Sequence, residues 1–331
     1  MFISVIVPTY NRVDTLHKCL QHLEDQSIGI ENYEVIIVDD CSSDKTPEFC
    51  QNYVSISKNV KYIRNQTNLG LATTRNVGIR ASKGDILMFL DNDLLISNTF
   101  LEAHINLYKA NNNENIAIVS DVTYQLEDLD KTNFGRFIQS RAIGYRADKY
   151  MEGINLSDLP SNFFAGGGSS CKREDAFKVG LFEEGLKKYG SEDEVFGYRL
   201  KKAGIRIVFC PAAKLIHFDS NILPHYWRIK YIELGRYSLK TLKEKEPELV
   251  NNSLYNLLMP MDSKIDSTKT IFSKLMIKLF SSALFRVPVE KFVFATDGNK
   301  SFYTDIIYRY ITMVWIIKGF NSDEQIEKVK Y

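Results

Sequence analysis

The sequence has little that would mark a secreted, membrane-spanning or repetitive protein. Its five cysteines, Cys19, Cys41, Cys50, Cys171 and Cys210, are odd in number and scattered, with no Cys-x-x-Cys pair. Neither a disulfide framework nor a zinc-ribbon spacing can be drawn from them, so they are expected to be reduced thiols serving as small core residues. No stretch approaches the roughly 18 uncharged apolar residues of a membrane span. The opening MFISVIVPTYNR has no basic start, and its apolar run is too short for a secretory signal. Charge imbalance is missing as well: 42 Lys and Arg stand against 41 Asp and Glu, a formal net charge of +1. Nothing in that bulk charge attracts a polyanion, and no nucleic-acid partner is expected. The dinucleotide fingerprint G-x-G-x-x-G, the P-loop and the G-x-S-x-G elbow are all absent, which excludes three common enzyme classes on motif grounds. A cytoplasmic location is expected, with peripheral attachment at the inner face of a membrane left open.

What is present is enough apolar material for one large α/β domain and a smaller appendage: 331 residues, 44% of them hydrophobic. The first half alternates strand and helix patterns. Ile3–Val7, Glu34–Val38, Val60–Ile63, Ile86–Leu90 and Ile116–Val119 are short, mostly apolar runs that read as buried strands. Between them, Asp14 is placed to cap a helix with an apolar face of Leu16, Cys19, Leu20 and Leu23. Ser42 and Ser97 are placed to cap two further helices, and another helix is expected from Gly70 to about Ser82. Such alternation predicts a Rossmann-like, mainly parallel sheet covered on both faces. Residues 124–161 read as a polar, loop-rich region. Ser191–Ala203 reads as a helix ended by Gly204, and Ile205–Phe209 and Leu215–Phe218 as two short strands. A first domain over 1–226, in halves meeting near residue 120, precedes a helical region over 227–331.

In open α/β sheets, ligands bind beyond the carboxyl ends of the strands. Two of the expected strands end in acidic clusters, Asp39-Asp40 and Asp91-Asn92-Asp93. Carboxylates two residues apart can face one side, where one holds a hard divalent cation and the other a ribose or a bound water. The alternative is turn chemistry, since Asp and Asn are common turn formers. Pro8-Thr9-Tyr10-Asn11-Arg12 follows the first strand and offers a ring for a base (Tyr10) and a cation (Arg12). Asn68-Leu69-Gly70, with Arg75-Asn76 soon after, places a helix start and an arginine where phosphate would fit.

Taken in order, Ser4-Val5-Ile6-Val7-Pro8-Thr9-Tyr10-Asn11, Val38-Asp39-Asp40-Cys41-Ser42, Asn68-Leu69-Gly70 with Arg75-Asn76, and Phe89-Leu90-Asp91-Asn92-Asp93 resemble the serial motifs of the family-two glycosyltransferases. That resemblance covers about the first hundred residues. It implies a GT-A nucleotide-sugar-binding fold and transfer of a hexose from a nucleotide sugar, UDP-hexose above all, to an acceptor hydroxyl with inversion. It also implies that 1–120 is the nucleotide-binding half and 121–226 the acceptor-side half. By the same resemblance, Pro8, Tyr10 and Asp40 hold the base, Asp91 meets ribose or metal, and Asp93 binds Mn2+ or Mg2+.

A second block, Phe182-Glu183-Glu184, Tyr189-Gly190-Ser191-Glu192-Asp193 and Tyr198-Arg199-Leu200, is similar to the acceptor-side segment of galactosyltransferase-like enzymes. Their catalytic base falls on Asp193, with Glu192 beside it, and their metal-binding histidine on His217. Those relatives often carry Trp-Gly-Gly where this chain has Tyr189-Gly190-Ser191, which leaves the acceptor-sugar contacts open. Ser191 and Glu194 also form a capping-box pattern, so the acids Glu192 and Asp193 suit a helix start in either reading. Gly166, Gly167 and Gly168 permit close backbone approach to donor or acceptor.

The acceptor is a glycan, a lipid-linked saccharide or a peptide. Two other functions share parts of this pattern. A sugar nucleotidyltransferase would need a glycine-rich loop after the first strand, and Pro8–Arg12 contains no glycine. A non-catalytic nucleotide-sugar-binding protein would not need the full motif set. Near the C-terminus, Ile271, Phe272, Leu275, Met276, Leu279, Phe280, Leu284 and Phe285 form one face of a helical pattern over 269–287. Lys269, Lys274 and Lys278 fall largely opposite. Such a helix either packs on the catalytic domain or lies on an anionic membrane surface. Tyr308–Ile317 is apolar enough for core or for a dimer surface.

Overall fold

The computed structural model describes residues 1–112, 114–124, 129, 131–141, 155–188, 190–218, 224–262 and 266–322. The chain forms two compact units. One comprises Met1–Leu129, Ile138–Lys187 and Glu192–Ser220; the other comprises Asp130–Phe137, Lys188–Ser191 and Asn221–Tyr331.

The first unit is built on strands β1 (Ile3–Thr9), β2 (Tyr33–Asp39), β3 (Val60–Arg64), β4 (Ile86–Phe89), β5 (Leu94–Ile96), β6 (Ile116–Tyr124), β7 (Ser169–Lys172) and β8 (Arg206–His217). They form one sheet in the order β3-β2-β1-β4-β7-β6-β8-β5. The β1–β2, β2–β3, β1–β4 and β6–β8 pairings are parallel, while β7 runs antiparallel to β4 and β6, and β5 antiparallel to β8. Helices α1 (Val13–Glu24), α2 (Thr46–Ile56), α3 (Leu71–Ala81), α4 (Phe100–Ala110), α5 (Asn133–Gln139), α6 (Arg173–Lys178) and α7 (Glu192–Lys202) fall between the strands in the chain.

Every residue of β1 and β2 is buried, as expected of strands covered on both faces. Side-chain alternation sorts them into two cores. Ile3, Val5 and Val7 share one core with Leu16, Cys19, Leu20 and Leu23 of α1 and with Phe100, Leu101 and Tyr108 of α4. Ile6, Leu87 and Phe89 share the other with Ala72 and Ile79 of α3 and with Phe196 and Leu200 of α7. Phe89 meets Phe164, Phe182 and Phe196 edge-on, and Phe182 stacks on Phe196 at 4.4 Å between centroids. All five cysteines are free thiols, and four of them are buried.

Several local expectations are corrected. Asp14 does not cap α1; the helix begins at Val13 without a side-chain cap, and Asp14 sits in its first turn, where its charge still suits the dipole. Ser42 does not cap α2. Its hydroxyl accepts the Asn11 N–H at 2.9 Å, and the Thr46 N–H goes to Asp44 Oδ1 at 3.0 Å. Ser97 stands three residues before α4 and offers only its carbonyl to Phe100 N.

The two short strands after Gly204 are one strand, β8. Its register against β6 jumps between Ser120↔Cys210 and Asp121↔Lys214, so Pro211-Ala212-Ala213 bulge out. Pro211 has no N–H for the ladder, so an interruption falls naturally there. The 124–161 stretch is not loop throughout, since it contains α5. The strands β5 and β7 were not foreseen, being three and four residues long.

The second unit is helical. Helix α8 (Pro224–Glu233) continues through a π-helical turn at Leu234–Ser238 into α9 (Leu239–Lys245). Helices α10 (Pro247–Asn251), α11 (Thr268–Phe280), α12 (Ala283–Thr296) and α13 (Asp305–Phe320) follow. Tyr308, Ile311, Val314 and Trp315 of α13 are buried, so this segment is core. Phe134 packs against Tyr308, Trp315 and Trp227. Glu290 of α12 accepts from Trp315 Nε1 at 3.2 Å and pairs with Arg228 and Arg286.

Candidate active site

The carboxyl ends of β2 and β4 carry the acidic clusters read from the sequence, beside the end of β1, and the structure gives each carboxylate a distinct set of partners. Asp39 is fully buried. Its Oδ1 accepts the Ser42 N–H at 2.8 Å and its Oδ2 accepts the Tyr62 hydroxyl at 2.8 Å. Asp40 accepts from Asn65 Nδ2 at 2.9 Å, Leu69 N at 2.8 Å and Gly70 N at 2.9 Å. This carboxylate therefore fixes the Asn68–Gly70 loop, and with it the start of α3. Asn68 adds a 3.4 Å bond to the Asp40 carbonyl. Asn92 Nδ2 donates to Thr9 Oγ1 at 2.8 Å and ties the end of β4 to the end of β1. Pro8 is a buried member of β1 opposite Val38, whereas Tyr10 just beyond is 45% exposed.

Arg75, on the first turns of α3, is 1% exposed. Its Nη2 donates to Asp91 Oδ1 at 2.8 Å, and its Nη1 to Asp193 Oδ1 at 2.8 Å and Glu192 Oε1 at 3.2 Å. The Phe182 ring lies 5.3 Å below its guanidinium carbon. Arg75 was read as a phosphate partner at a helix start. It is instead buried and engaged by three carboxylates, one after β4 and two in the first turn of α7. One cation among three carboxylates leaves excess negative charge in a desolvated place. Burial, reinforced by the Asp193 charge, pushes Glu192 up to about 7 despite Arg75. Burial also raises Asp193, against the opposing pull of Arg75. Burial alone would lower the Arg75 pKa, but Asp193, Asp91 and Glu192 outweigh it and raise it. Near neutral pH the cluster thus holds a proton on its carboxylate pair.

The backbone of Gly166–Gly168 lies directly against this cluster. A Cβ at Gly166 would clash with Arg75 Nη1 and Asp193 Oδ1, and one at Gly167 would come within 2.6 Å of Asp91 Oδ2. Gly168 donates to the Phe89 carbonyl at 2.7 Å, and its own carbonyl accepts the Ser120 hydroxyl. Behind it, His104 is fully buried, with Nε2 3.0 Å from Ser120 Oγ and Nδ1 2.8 Å from Ser170 Oγ. Burial pushes His104 down to about 3, so the ring is neutral. Neither His104 nor Ser120 was picked out in the sequence. A lone histidine in an apolar helix face carries no signal of what lies above it.

Asp93 and His217 form a second focus. Asp93 precedes β5 and His217 ends β8, and the Leu94↔His217 register brings them together. His217 Nε2 lies 3.7 Å from Asp93 Oδ1, and Arg12 Nη1 lies 4.0 Å from Asp93 Oδ2. Tyr124 stacks on the imidazole at 5.1 Å. Asp93 and His217 are thus brought side by side, while Asp91 turns to Arg75. Among the described residues, no group of three or more His, Cys, Asp or Glu side chains is gathered as a metal cluster. The donor set nevertheless suits a divalent cation. A hard carboxylate oxygen and an imidazole nitrogen face one another, and the His217 Nδ1 is buried with no hydrogen-bond partner among the described residues.

At the head of α7, Ser191 has a φ of +75° and its Oγ is buried without a hydrogen-bond partner among the described residues. The capping-box expectation for Ser191 and Glu194 is therefore corrected: the left-handed turn swings the serine hydroxyl away from the helix N–H groups. Gly204 ends α7 as expected, with Ile205 N bonded to the Leu200 carbonyl at 3.0 Å.

The model of the family described as glycosyl transferase family 2 matches residues 4–179, more than half of the chain. A second model, described as the N-terminal domain of galactosyltransferase, matches residues 155–221. A chondroitin synthase of Escherichia coli is 29% identical over 227 residues, covering 61% of this chain. The chain spans only 32% of the length of that relative. Among solved structures, the mannosyltransferase PcManGT from Pyrobaculum calidifontis, in complex with GDP-Man and Mn2+, superposes with a TM-score of 0.59 at 17% identity. That match covers 96% of this chain and 85% of the other. S. aureus TarS 1-349 in complex with UDP-GlcNAc gives 0.54 at 16% identity, covering 96% and 90%. These likenesses show the GT-A fold.

Proposed function

The chain belongs to glycosyl transferase family 2, and from that premise we propose that it moves a hexose from a UDP-sugar to an acceptor hydroxyl with inversion, in polysaccharide or glycoconjugate assembly. The observation that carries this reading is the convergence of Asp91, Glu192 and Asp193 on Arg75, against the backbone of Gly166 and Gly167. In it, an exposed ring (Tyr10) and an anchored loop (Asn68–Gly70, held by Asp40) flank the base, and Asp91 faces the ribose.

Asp193 is the base. Its side chain is 29% exposed, against 10% for Glu192, so it is the one an acceptor can reach. It takes the proton from the acceptor hydroxyl as that oxygen bonds to the anomeric carbon and the bond to the diphosphate breaks. Burial raises the affinity of Asp193 for that proton, and Arg75 keeps the ionised form available between turnovers. Glu192, holding a proton near neutral pH, spares Asp193 a second adjacent charge. The glycine backbone lets the donor sugar approach these carboxylates.

Asp93 and His217 are the residues that would hold Mn2+ or Mg2+, which when bound offsets charge on the leaving diphosphate. Arg12, beside Asp93, adds a fixed positive charge on the same side.

The test is a thermal-shift series of the full chain with UDP- and GDP-sugars, with and without Mn2+, followed by transfer assays on glycan and lipid-linked acceptors. A UDP-hexose should stabilise the protein in a Mn2+-dependent way that grows with ligand concentration. Asp193→Asn should keep that stabilisation and lose transfer by about 10²–10⁴-fold. Full transfer by Asp193→Asn rejects the base. Binding without turnover on every acceptor favours a non-catalytic nucleotide-sugar-binding protein.

A further inference from the structure

Helix α11 is turned opposite to the ordinary amphipathic arrangement. Its lysine at the centre of the polar side, Lys274, faces inward: it is 5% exposed, bonded to the Pro260 carbonyl at 3.2 Å and paired with Asp266 at 2.7 Å. Its apolar stripe faces outward. Phe272 is 62% exposed, Leu275 47% and Leu279 51%, and Leu284 at the start of α12 is 76% exposed. At 100° per residue, Phe272, Leu275 and Leu279 fall on one side of the helix, with the exposed Lys269 and Lys278 at its two edges. Leaving four large apolar side chains in water while burying a lysine is unfavourable for a surface that stays wet.

Charge identifies what covers it. From Ser267 to Thr296 the chain has five basic residues, Lys269, Lys274, Lys278, Arg286 and Lys291, and one acid, Glu290. That acid is buried and taken up by Arg228, Arg286 and Trp315. The exposed face of the hairpin therefore presents apolar side chains and lysines, with no carboxylate on it. A second copy of this chain fits poorly, because a two-fold contact would set Lys269 and Lys278 against like charges with no acid to answer them. No helix among the described residues is long and apolar enough to cross a membrane, so an occupant that takes both features lies flat against the helix.

We propose that α11 and the first turn of α12 dock on an anionic lipid surface. Phe272, Leu275, Leu279 and Leu284 enter the boundary between headgroups and acyl chains, and Lys269 and Lys278 meet the lipid phosphates. This surface is independent of the transfer reaction and is read without donor or acceptor.

The experiment is co-sedimentation of the full chain with vesicles of phosphatidylcholine alone and of phosphatidylcholine mixed with phosphatidylglycerol, at low and high salt, with light scattering of the free protein. Binding to the anionic vesicles only, weakened by salt, is expected. Lys269→Gln and Lys278→Gln should each weaken it by about fivefold, and Phe272→Ser with Leu279→Ser should abolish it at unchanged melting temperature. Three results overturn the proposal: no binding of the wild-type chain to anionic vesicles, equal binding to neutral ones, or a dimer in solution that Phe272→Ser with Leu279→Ser dissociates. The wild-type arms decide even if a variant fails to fold.

Discussion

Arg75 and Asp193 are 118 residues apart in the chain and 2.8 Å apart in the fold. The bond joins the start of α3, held by Asp40, to the first turn of α7. The guanidinium that orients the proposed base is also the charge that keeps Asp91 and Glu192 in the same place.

Arg75→Met should therefore destabilise the first unit. It leaves three carboxylates in a desolvated cluster without a cation, which costs about 3 kcal/mol. Calorimetry near pH 7.5 should show a clear fall in melting temperature, and acidification should recover part of it by protonating the cluster. An unchanged melting temperature would mean the cluster is solvated enough to manage without Arg75.

Glu192 yields a pH dependence with a definite sign. Its folded pKa is raised from 4.5 to about 7. Its contribution to stability is therefore fully present below pH 4.5 and is lost as pH rises through 7. Glu192→Gln, which cannot ionise, should be more stable than the wild type at pH 8 by about 1–3 kcal/mol and should equal it near pH 4.5. Urea unfolding at the two pH values measures the difference. A gap that widens toward acid would contradict the buried, proton-holding Glu192.

His104 has the opposite sign. Its folded pKa falls from 6.5 to about 3. Stability from the neutral ring is present above pH 6.5 and lost as pH falls toward 3, at up to about 1.4 kcal/mol per pH unit. His104→Gln should remove that slope and lower stability at pH 7 by about 1–3 kcal/mol through the lost Ser120 and Ser170 bonds. Between pH 4.5 and 6.5 the Glu192 and His104 slopes oppose one another, so each is best read as the difference between variant and wild type.

Two glycines separate crowding from backbone strain. Gly167→Ala places a methyl within 2.6 Å of Asp91 Oδ2 and should reduce turnover at least tenfold, about the effect of displacing one positioned group. Gly204→Ala meets nothing within 4 Å, but its φ is +81°. It should cost only about 1 kcal/mol of stability and leave turnover unchanged. Equal turnover in the two variants would remove Gly167 from the site.

The buried strands of the first unit could be read directly. β1, β2 and β4 are short apolar runs followed by turn-forming or acidic residues, a pattern that suits strands covered on both faces, although β1 runs on through Pro8 to Thr9. The α1 face of Leu16, Cys19, Leu20 and Leu23 repeats at helical spacing and was equally plain. Helix starts were misread at Asp14, Ser42 and Ser97, because a capping residue type does not say which nearby N–H its oxygen will reach. β5 and β7 were missed because strands of three and four residues, paired with distant partners, have no period to show. The outward turn of α11 was likewise hidden, since a helical pattern separates two faces without saying which is buried.

The sequence alone determined which residues carry acid, where strands end and which family pattern they follow, because local chemistry and alternation are written in neighbouring residues. The tertiary structure alone decided that Arg75 is spent on carboxylates, that Gly166–Gly168 press on them and that Asp93 meets His217. Those relationships arise from pairings across a hundred residues or so, set by the register of β4 with β7 and of β5 with β8. Burial then converts that proximity into shifted proton affinities, which no linear pattern encodes.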